Sequence, residues 1–561
     1  MANRITPGQA VVQSLKAHGV DMVFGLDGSH VIQVFDALHD APEIRPITVK
    51  HENNASIAAE VYGRLTGRPG VVLVTAGPGA TNSLSGVAGA YAAGAPMVHI
   101  SGGVPVGAAR EAFHGVDVED FLHRAFEPVT KASVRVDRAA DIASALARAF
   151  ALAVAGRPGP VHVEIAESAL NEPSVDLAGV ALTADANVGT SAVPRIEDLA
   201  ARVDRADRVA IVAGKGAWWP VVSRQVVALA ERIGAPVAHT WDGHAAMPTT
   251  HPLSSAVWWG EARSHPVAAE LVDQADVVLG IGVRPGTESE VLLRKAVGER
   301  LVIVDAADAA EGSGDVFASS VEALASTLDR LTKACEPRPT RAETLDRCAY
   351  ARSIQQRGLE IELARYRDSR PWHIGAALDV LARRMTPDML VISDVSNVKL
   401  WTPLQVPTYS PESHLQSGSW GAMGYAVPAV LAAGLVRPEK KVIGLAGDTS
   451  FLMGSSDFST ICQLGLPVVL AVHNDGRIGM IDNMLTQAYG RAYATDMGKY
   501  DLVKYAESFG ARGISVSEPA GLEAAWEEAL GANETVLLEL KAGHDFPWPW
   551  PVKRLVEQAQ A

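Results

Sequence analysis

Cysteine is almost missing: Cys335, Cys348 and Cys462 are the only three in 561 residues, and none falls in a CxxC or comparable spacing. So small and scattered a set excludes a disulfide framework and a zinc module, and it fits a reducing compartment. Positive charge is also short. With 49 Lys plus Arg against 64 Asp plus Glu the formal net charge is −15, which argues against a nucleic-acid or anionic-membrane partner but leaves room for a local pocket that takes a phosphate ester. The opening MANRITPGQA lacks the apolar run of a signal peptide and shows no transit or lipidation pattern, so a cytoplasmic location is expected. A third absence is local: no Asp, Glu, Lys or Arg stands between Arg68 and Arg110. Pro78, Pro96 and many glycines exclude a membrane span there. The stretch reads as a strand (Val71–Val74), a Gly-rich turn, an Ala-rich helix and a second strand (Met97–Ser101), apolar on both faces like the parallel strands of a covered sheet.

What is present is a βαβ rhythm repeated along the chain, at a length that predicts three or four domains. Residues 1–172 alternate apolar strands with amphipathic helices and end in Val161–Ile165. A stretch poor in aromatics, Asn171–Val193, reads as a linker. The second unit, 190–332, has strands at Arg208–Ala213, Pro236–His239, Val277–Gly282 and Leu301–Asp305, with a helix at Ser223–Ile233. The polar, proline-containing segment Lys333–Arg341 is a second linker. The third unit, 350–561, has strands at Met389–Ser393, Lys441–Ala446, Val468–His473 and Thr535–Leu540. The fold class expected is therefore α/β, with three doubly wound parallel-sheet domains.

Three segments carry chemistry. Gly447-Asp448-Thr449-Ser450 follows an apolar strand, and His473-Asn474-Asp475-Gly476 follows the next one. A carboxylate and an amide oxygen at the ends of adjacent parallel strands can share one hard cation, while amides of a Gly-rich turn hold phosphate. Either half alone is equally an ordinary turn. The second segment is Lys50-His51-Glu52-Asn53-Asn54, ahead of a helix over Ala55–Leu65, where a Glu also suits a helix N-terminus. The third is Ser417-Gly-Ser-Trp-Gly-Ala-Met-Gly-Tyr425, in which Met could be simple core filler.

Together these segments resemble the thiamin-diphosphate-dependent enzymes of the acetolactate synthase, benzaldehyde lyase and 2-hydroxyacyl-CoA lyase superfamily. The resemblance rests on a GDG-like turn with an Asn 26 residues after its Asp, on the His-Glu segment with the loop Thr75–Asn82, and on the GAMG segment. It names the three units pyrimidine-binding, central and diphosphate-binding. It implies that Asp448, Asn474 and the Gly476 carbonyl hold Mg2+, which bridges the diphosphate. It further implies cofactor contacts from Gly447, Thr449, Ser450 and Ile478, from Ser396 and Asn397, and from Pro78 and Asn82. Glu52 would share a proton with the aminopyrimidine ring, a task suited to a carboxyl whose pKa an apolar site raises. Met423 would wedge the cofactor into a bent shape, with the Gly421 carbonyl accepting from its amine. Thr449 stands where the family has glycine, and His473 where it has a first Asn.

The resemblance implies a carboligase that decarboxylates a 2-oxo acid and adds the resulting carbanion or enamine to a carbonyl acceptor. Its alternatives are a lyase of 2-hydroxy ketones or 2-hydroxyacyl thioesters and a diketone hydrolase, with a non-catalytic regulator least expected because Glu52 and the metal ligands are in place. It also implies a homodimer or homotetramer acting on small carbonyl substrates. His30 and His114 lie in loops that reach the reacting carbon in relatives, and either could donate a proton near neutral pH. His114 replaces a Gln of true acetolactate synthases, Arg284-Pro-Gly-Thr287 replaces their carboxylate-binding Arg segment, and their specificity Trp is replaced near Met484, all pointing away from acetolactate as the product. In the central unit Ala213–Ala217 is a turn that would suit the phosphate of FAD or ADP, or none, and Trp218, Trp219, Trp258 and Trp259 read as core or interface. Phe546–Pro551 reads as an extended strip, either a lid or a packed tail.

Overall fold

Strands apolar on both faces cannot lie at a surface, and the charge-poor run of the first unit obeys that constraint. In the computed structural model, which describes residues 4–109, 111–184, 196–306, 315–544 and 552–561, the run folds as strand Gly70–Val74, helix Pro78–Ala93 and strand Met97–Gly103, with every residue of both strands buried. Three six-stranded parallel sheets are present. The first runs in the order Arg45–Thr48, Met22–Leu26, Gly70–Val74, Met97–Gly103, Pro160–Ala166, Ala132–Val136. The third runs His414–Gln416, Met389–Ser393, Lys441–Gly447, Val469–His473, Val536–Leu540, Arg512–Val516. Numbered within each sheet, both follow the order 2-1-3-4-6-5, whereas the central sheet (Val209–Ala213 through Val316–Ala318) follows 3-2-1-4-5-6, the order of dinucleotide-binding folds.

The shared topology places the chemistry. In an open parallel sheet ligands bind beyond the strand C-termini where the strand order reverses. In the first sheet that point lies between Met22–Leu26 and Gly70–Val74, so the loops Asp27–His30 and Thr75–Pro78 meet there. In the third it lies between Met389–Ser393 and Lys441–Gly447, which brings Asp394–Asn397 beside Asp448–Ser450.

By contacts the chain divides into two compact units, Met1–Asn187 with Ser417–Pro438 and Met453–Leu466, and the remainder. This division departs from chain order for a physical reason. Helix Ala426–Val436 is apolar on all sides, so it must be enclosed, and it packs on helix Glu52–Thr66, of which 13 of 15 residues are buried. Tyr425 donates to Glu60 Oε2 at 2.8 Å and Arg64 pairs with Glu60 at 3.4 Å, so the charges in this interface are bonded. Several elements escaped the sequence reading, among them the strands Ser254–Val257, Val316–Ala318, His414–Gln416 and Arg512–Val516, a short antiparallel pair, Arg4–Ile5 with Val175–Asp176, and the 24-residue helix Ala342–Arg365, which starts just after the second linker. The described residues include no helix long and apolar enough to cross a membrane.

Helices Glu52–Thr66 and Pro78–Ala93 touch at Gly86, where a Cβ would lie 2.6 Å from Ser56 Cβ. Gly86→Val is expected to lower stability by about 1–3 kcal/mol through overpacking, read as a lower urea or thermal midpoint.

Candidate functional site

The site residues fall into two sets, one in each compact unit. In the larger unit the third sheet presents Asp448, 1% exposed, at the end of its third strand. Its Oδ2 accepts from the Gly476 N–H at 2.8 Å and its Oδ1 from the Thr449 N–H at 2.6 Å. Gly476 sits at φ 68°, and its carbonyl accepts from the Met497 N–H at 2.9 Å, which leaves one lone pair open. Asn474 donates its Nδ2 to Glu539 Oε1 at 2.6 Å, so Oδ1 is the amide atom turned away from the strand. A carboxylate, an amide oxygen and a carbonyl form a hard-oxygen donor set of the kind Mg2+ takes. Among the described residues no cluster of three or more His, Cys, Asp or Glu could hold a metal.

Around this set the first turns of two helices converge. Ser396 caps Asn397–Gln405 and Ile478 caps Gly479–Tyr489. A Cβ at Gly447 would come 2.9 Å from Ser396 Cβ, and one at Gly479 would come 2.1 Å from Asp475 Oδ2 and 3.1 Å from Asn397 Nδ2. Only glycine admits such an approach at Gly479. Amides and dipoles pointed into one place favour an anion such as a diphosphate. Asn397 Oδ1 is buried without a hydrogen-bond partner among the described residues, a mark of a place that a ligand or water completes. The residues therefore fit a metal-bridged diphosphate.

The two departures from the family pattern have structural accounts. Thr449 donates its hydroxyl to the Arg477 carbonyl at 3.3 Å. The ring Nε2 of His473 bonds the Ala542 and Gly543 carbonyls at 3.2 Å each, and burial holds its pKa below the usual value. The Ser450 hydroxyl is committed to the Val395 carbonyl. Burial, reinforced by the Asp448 carboxylate, pushes the Asp475 carboxyl up, against the pull of His544. His544 lies 3.6 Å from Asp475 and 3.4 Å from Asp482, a contact missed in the sequence.

In the smaller unit Glu52 opens its helix, 9% exposed, and its Oε2 accepts from Asn82 Nδ2 at 3.0 Å. Pro78 is the first residue of the helix that carries Asn82, a position that needs no N–H. Gly77, at φ 56°, lies against the loop of His114, since a Cβ there would come 2.3 Å from the His114 carbonyl. The structure brings the two predicted histidines together: His30 and His114 stack with ring centroids 4.9 Å apart, and Phe113 stacks on His114 at 4.0 Å. His114 adopts φ 65°, and its Nδ1 is buried without a partner among the described residues. His30 has Ser29 Oγ at 3.0 Å from Nδ1 and Glu167 Oε2 at 3.7 Å from Nε2. Burial lowers its pKa and His114 adds to that, while Glu167 opposes. Glu167 was not anticipated; its position just beyond the strand end at Ala166 was the available signal. The loop of Gly421, at φ 64°, and half-buried Met423 is tied to the same unit by Trp420, which donates to Ser85 Oγ at 3.2 Å on the helix of Asn82.

In the turn of the central sheet three amides donate to backbone carbonyls, Gly214 to Ile281, Gly216 to Gly282 and Ala217 to Gly214. Trp218 and Trp258 are buried in the core, and Trp259 stacks on Trp241. Phe546–Pro551, read as a lid or tail, lies outside the described residues. Glu167→Gln is expected to lower the His30 pKa further, by removing the one charge that raises it, as measured by NMR titration of labelled histidine.

With this geometry in place, the comparisons with known proteins are direct. Residues 5–126 match the thiamine pyrophosphate enzyme N-terminal TPP binding domain, 196–330 the central domain and 394–540 the C-terminal TPP binding domain. The acetolactate synthase large subunit of Corynebacterium glutamicum is 30% identical over 97% of this chain and 88% of its own length. The large subunit of Haemophilus influenzae is 31% identical over 97% and 96%, and the isozyme 3 large subunit of Escherichia coli 30% over 98% and 97%.

Proposed function

The chain belongs to the acetolactate synthase family of thiamine pyrophosphate enzymes, and on that premise we propose how its residues serve a carboligase that decarboxylates a 2-oxo acid and joins the remaining acyl unit to a carbonyl acceptor. The reading rests on one observation above all: Asp448, Asn474 and Gly476 gather at the ends of the adjacent strands Lys441–Gly447 and Val469–His473, beside the point where the third sheet reverses its strand order, with two helix N-termini facing them. Asp448, Asn474 Oδ1 and the Gly476 carbonyl would hold Mg2+, and the amides around Asn397, Ser450 and Gly479 would receive the diphosphate. When bound, thiamin diphosphate supplies the nucleophilic carbon and the electron sink that this chemistry requires. Glu52, through the oxygen that Asn82 leaves free, would hold the pyrimidine ring and serve as its acid-base partner. Met423 would limit the space open to the cofactor, and the Gly421 carbonyl would accept from its amine.

His114 is the proton donor to the substrate oxygen, because its Nδ1 is uncommitted while both ring nitrogens of His30 have neighbours. His30 backs it through the ring stack. Arg284-Pro-Gly-Thr287 stands in place of the family's carboxylate-binding segment, which favours a neutral carbonyl such as an aldehyde as acceptor. We assign the pyrimidine-binding domain to 1–172, the central domain to 190–332 and the diphosphate-binding domain to 350–561, and place the enzyme in the cytoplasm. A homodimer, or a tetramer of such dimers, is the proposed assembly. Phe113, Tyr489 and Tyr493, each at least 71% exposed, are large groups that such an assembly would cover.

Titrating metal-stripped protein with thiamin diphosphate, with and without Mg2+, then adding carboxyl-labelled pyruvate and an aldehyde, tests the reading. Mg2+-dependent binding with labelled CO2 release is the expected result; binding without release on any 2-oxo acid points to a lyase or hydrolase. Glu52→Gln is expected to cut turnover by about 10²- to 10⁴-fold while cofactor binding persists. Asp448→Ala is expected to abolish Mg2+-dependent binding itself.

A further inference from the structure

A carboxylate in a strand buried on both faces is costly unless every oxygen is bonded. Glu539 is such a group, 1% exposed in the strand Val536–Leu540. Its register explains its reach: Val472 pairs with Glu539 and His473 with Leu540, and the Asn474 N–H continues the ladder to the Leu540 carbonyl at 2.9 Å. Asn474 Nδ2 donates to Oε1 at 2.6 Å, and Ser515 Oγ donates to Oε2 at 2.7 Å. Lys541 Nζ, 3.2 Å from Oε2, supplies the countercharge.

An asparagine amide can point either its oxygen or its NH2 at a cation, and only one choice binds. A carboxylate accepts and cannot donate, so Glu539 admits only the NH2 and turns Oδ1 the other way. We propose that Glu539 is a positioning residue that sets the Asn474 amide for a divalent cation. The proposal rests on the metal assignment made above and names the group that makes Asn474 a competent ligand. Ser515 and Lys541, on the far oxygen, hold the carboxylate in place.

The test is Mg2+-dependent binding of thiamin diphosphate to the full-length protein, followed by tryptophan fluorescence and calorimetry, with unfolding midpoints for each variant. Glu539→Gln is expected to raise the Mg2+ half-saturation concentration by about tenfold or more, because glutamine can present either end to Asn474. Asn474→Asp sets two carboxylates against each other and is expected to lose binding at neutral pH. The double variant N474D/E539Q reverses the bond, with the introduced glutamine donating to the introduced aspartate, and is expected to regain Mg2+-dependent binding that N474D lacks. A purely structural role would instead make the two losses additive. Should E539Q fail to fold, Ser515→Ala is expected to raise the Mg2+ requirement about threefold through the loosened carboxylate. A wild-type Mg2+ requirement in E539Q, or in S515A where E539Q does not fold, overturns the proposal, as does a double variant no better than N474D. Wild-type protein that binds no cofactor with Mg2+ overturns the functional reading itself.

Discussion

The hydrogen bond from the Gly476 N–H to the Asp448 carboxylate ties together the ends of two neighbouring parallel strands, and the geometry of the proposed metal site depends on it. One oxygen of Asp448 serves its own turn and the other serves the next strand's turn, so neither loop can move alone. That coupling holds because both strands are enclosed and cannot shift register without exposing their apolar faces. Asn474 is held in the same way from its other side by Glu539.

The two outer sheets solve one problem twice. Each has the order 2-1-3-4-6-5, and each puts its functional loops where the order reverses. In the third sheet that place gathers oxygen ligands and helix N-termini, suited to a metal and an anion. In the first it gathers Glu52, Asn82 and the stacked histidines, suited to moving protons. The central sheet differs in order and in chemistry. Three amides of its glycine turn donate to backbone carbonyls, and Trp218 and Trp258 are buried.

Much of the fold was legible because buried parallel strands leave an unambiguous trace of consecutive apolar residues. Lys441–Ala446 and Val277–Gly282 were placed to within a residue or so for that reason. The helix Ala342–Arg365 was not, since its first turns follow a proline-rich linker and its polar surface gives a weak period. The pair Arg4–Ile5 with Val175–Asp176 is too short to leave a pattern at all. The turns of Asp448 and Asn474 stood out by local motif spacing, whereas Glu167 and His544 are contacts across long stretches of chain.

The sequence by itself determined the class of fold, the family and the residue types at the site, because turn chemistry, strand apolarity and motif spacing are local properties of a chain. Tertiary structure alone decided which groups those residues answer to. It stacked His30 on His114, gave Glu167 to His30 and Glu539 to Asn474, and drew Ala426–Val436 into the unit of Glu52. Each of those outcomes is set by register and burial between segments far apart in the chain, where the sign and reach of a neighbour depend on three-dimensional packing.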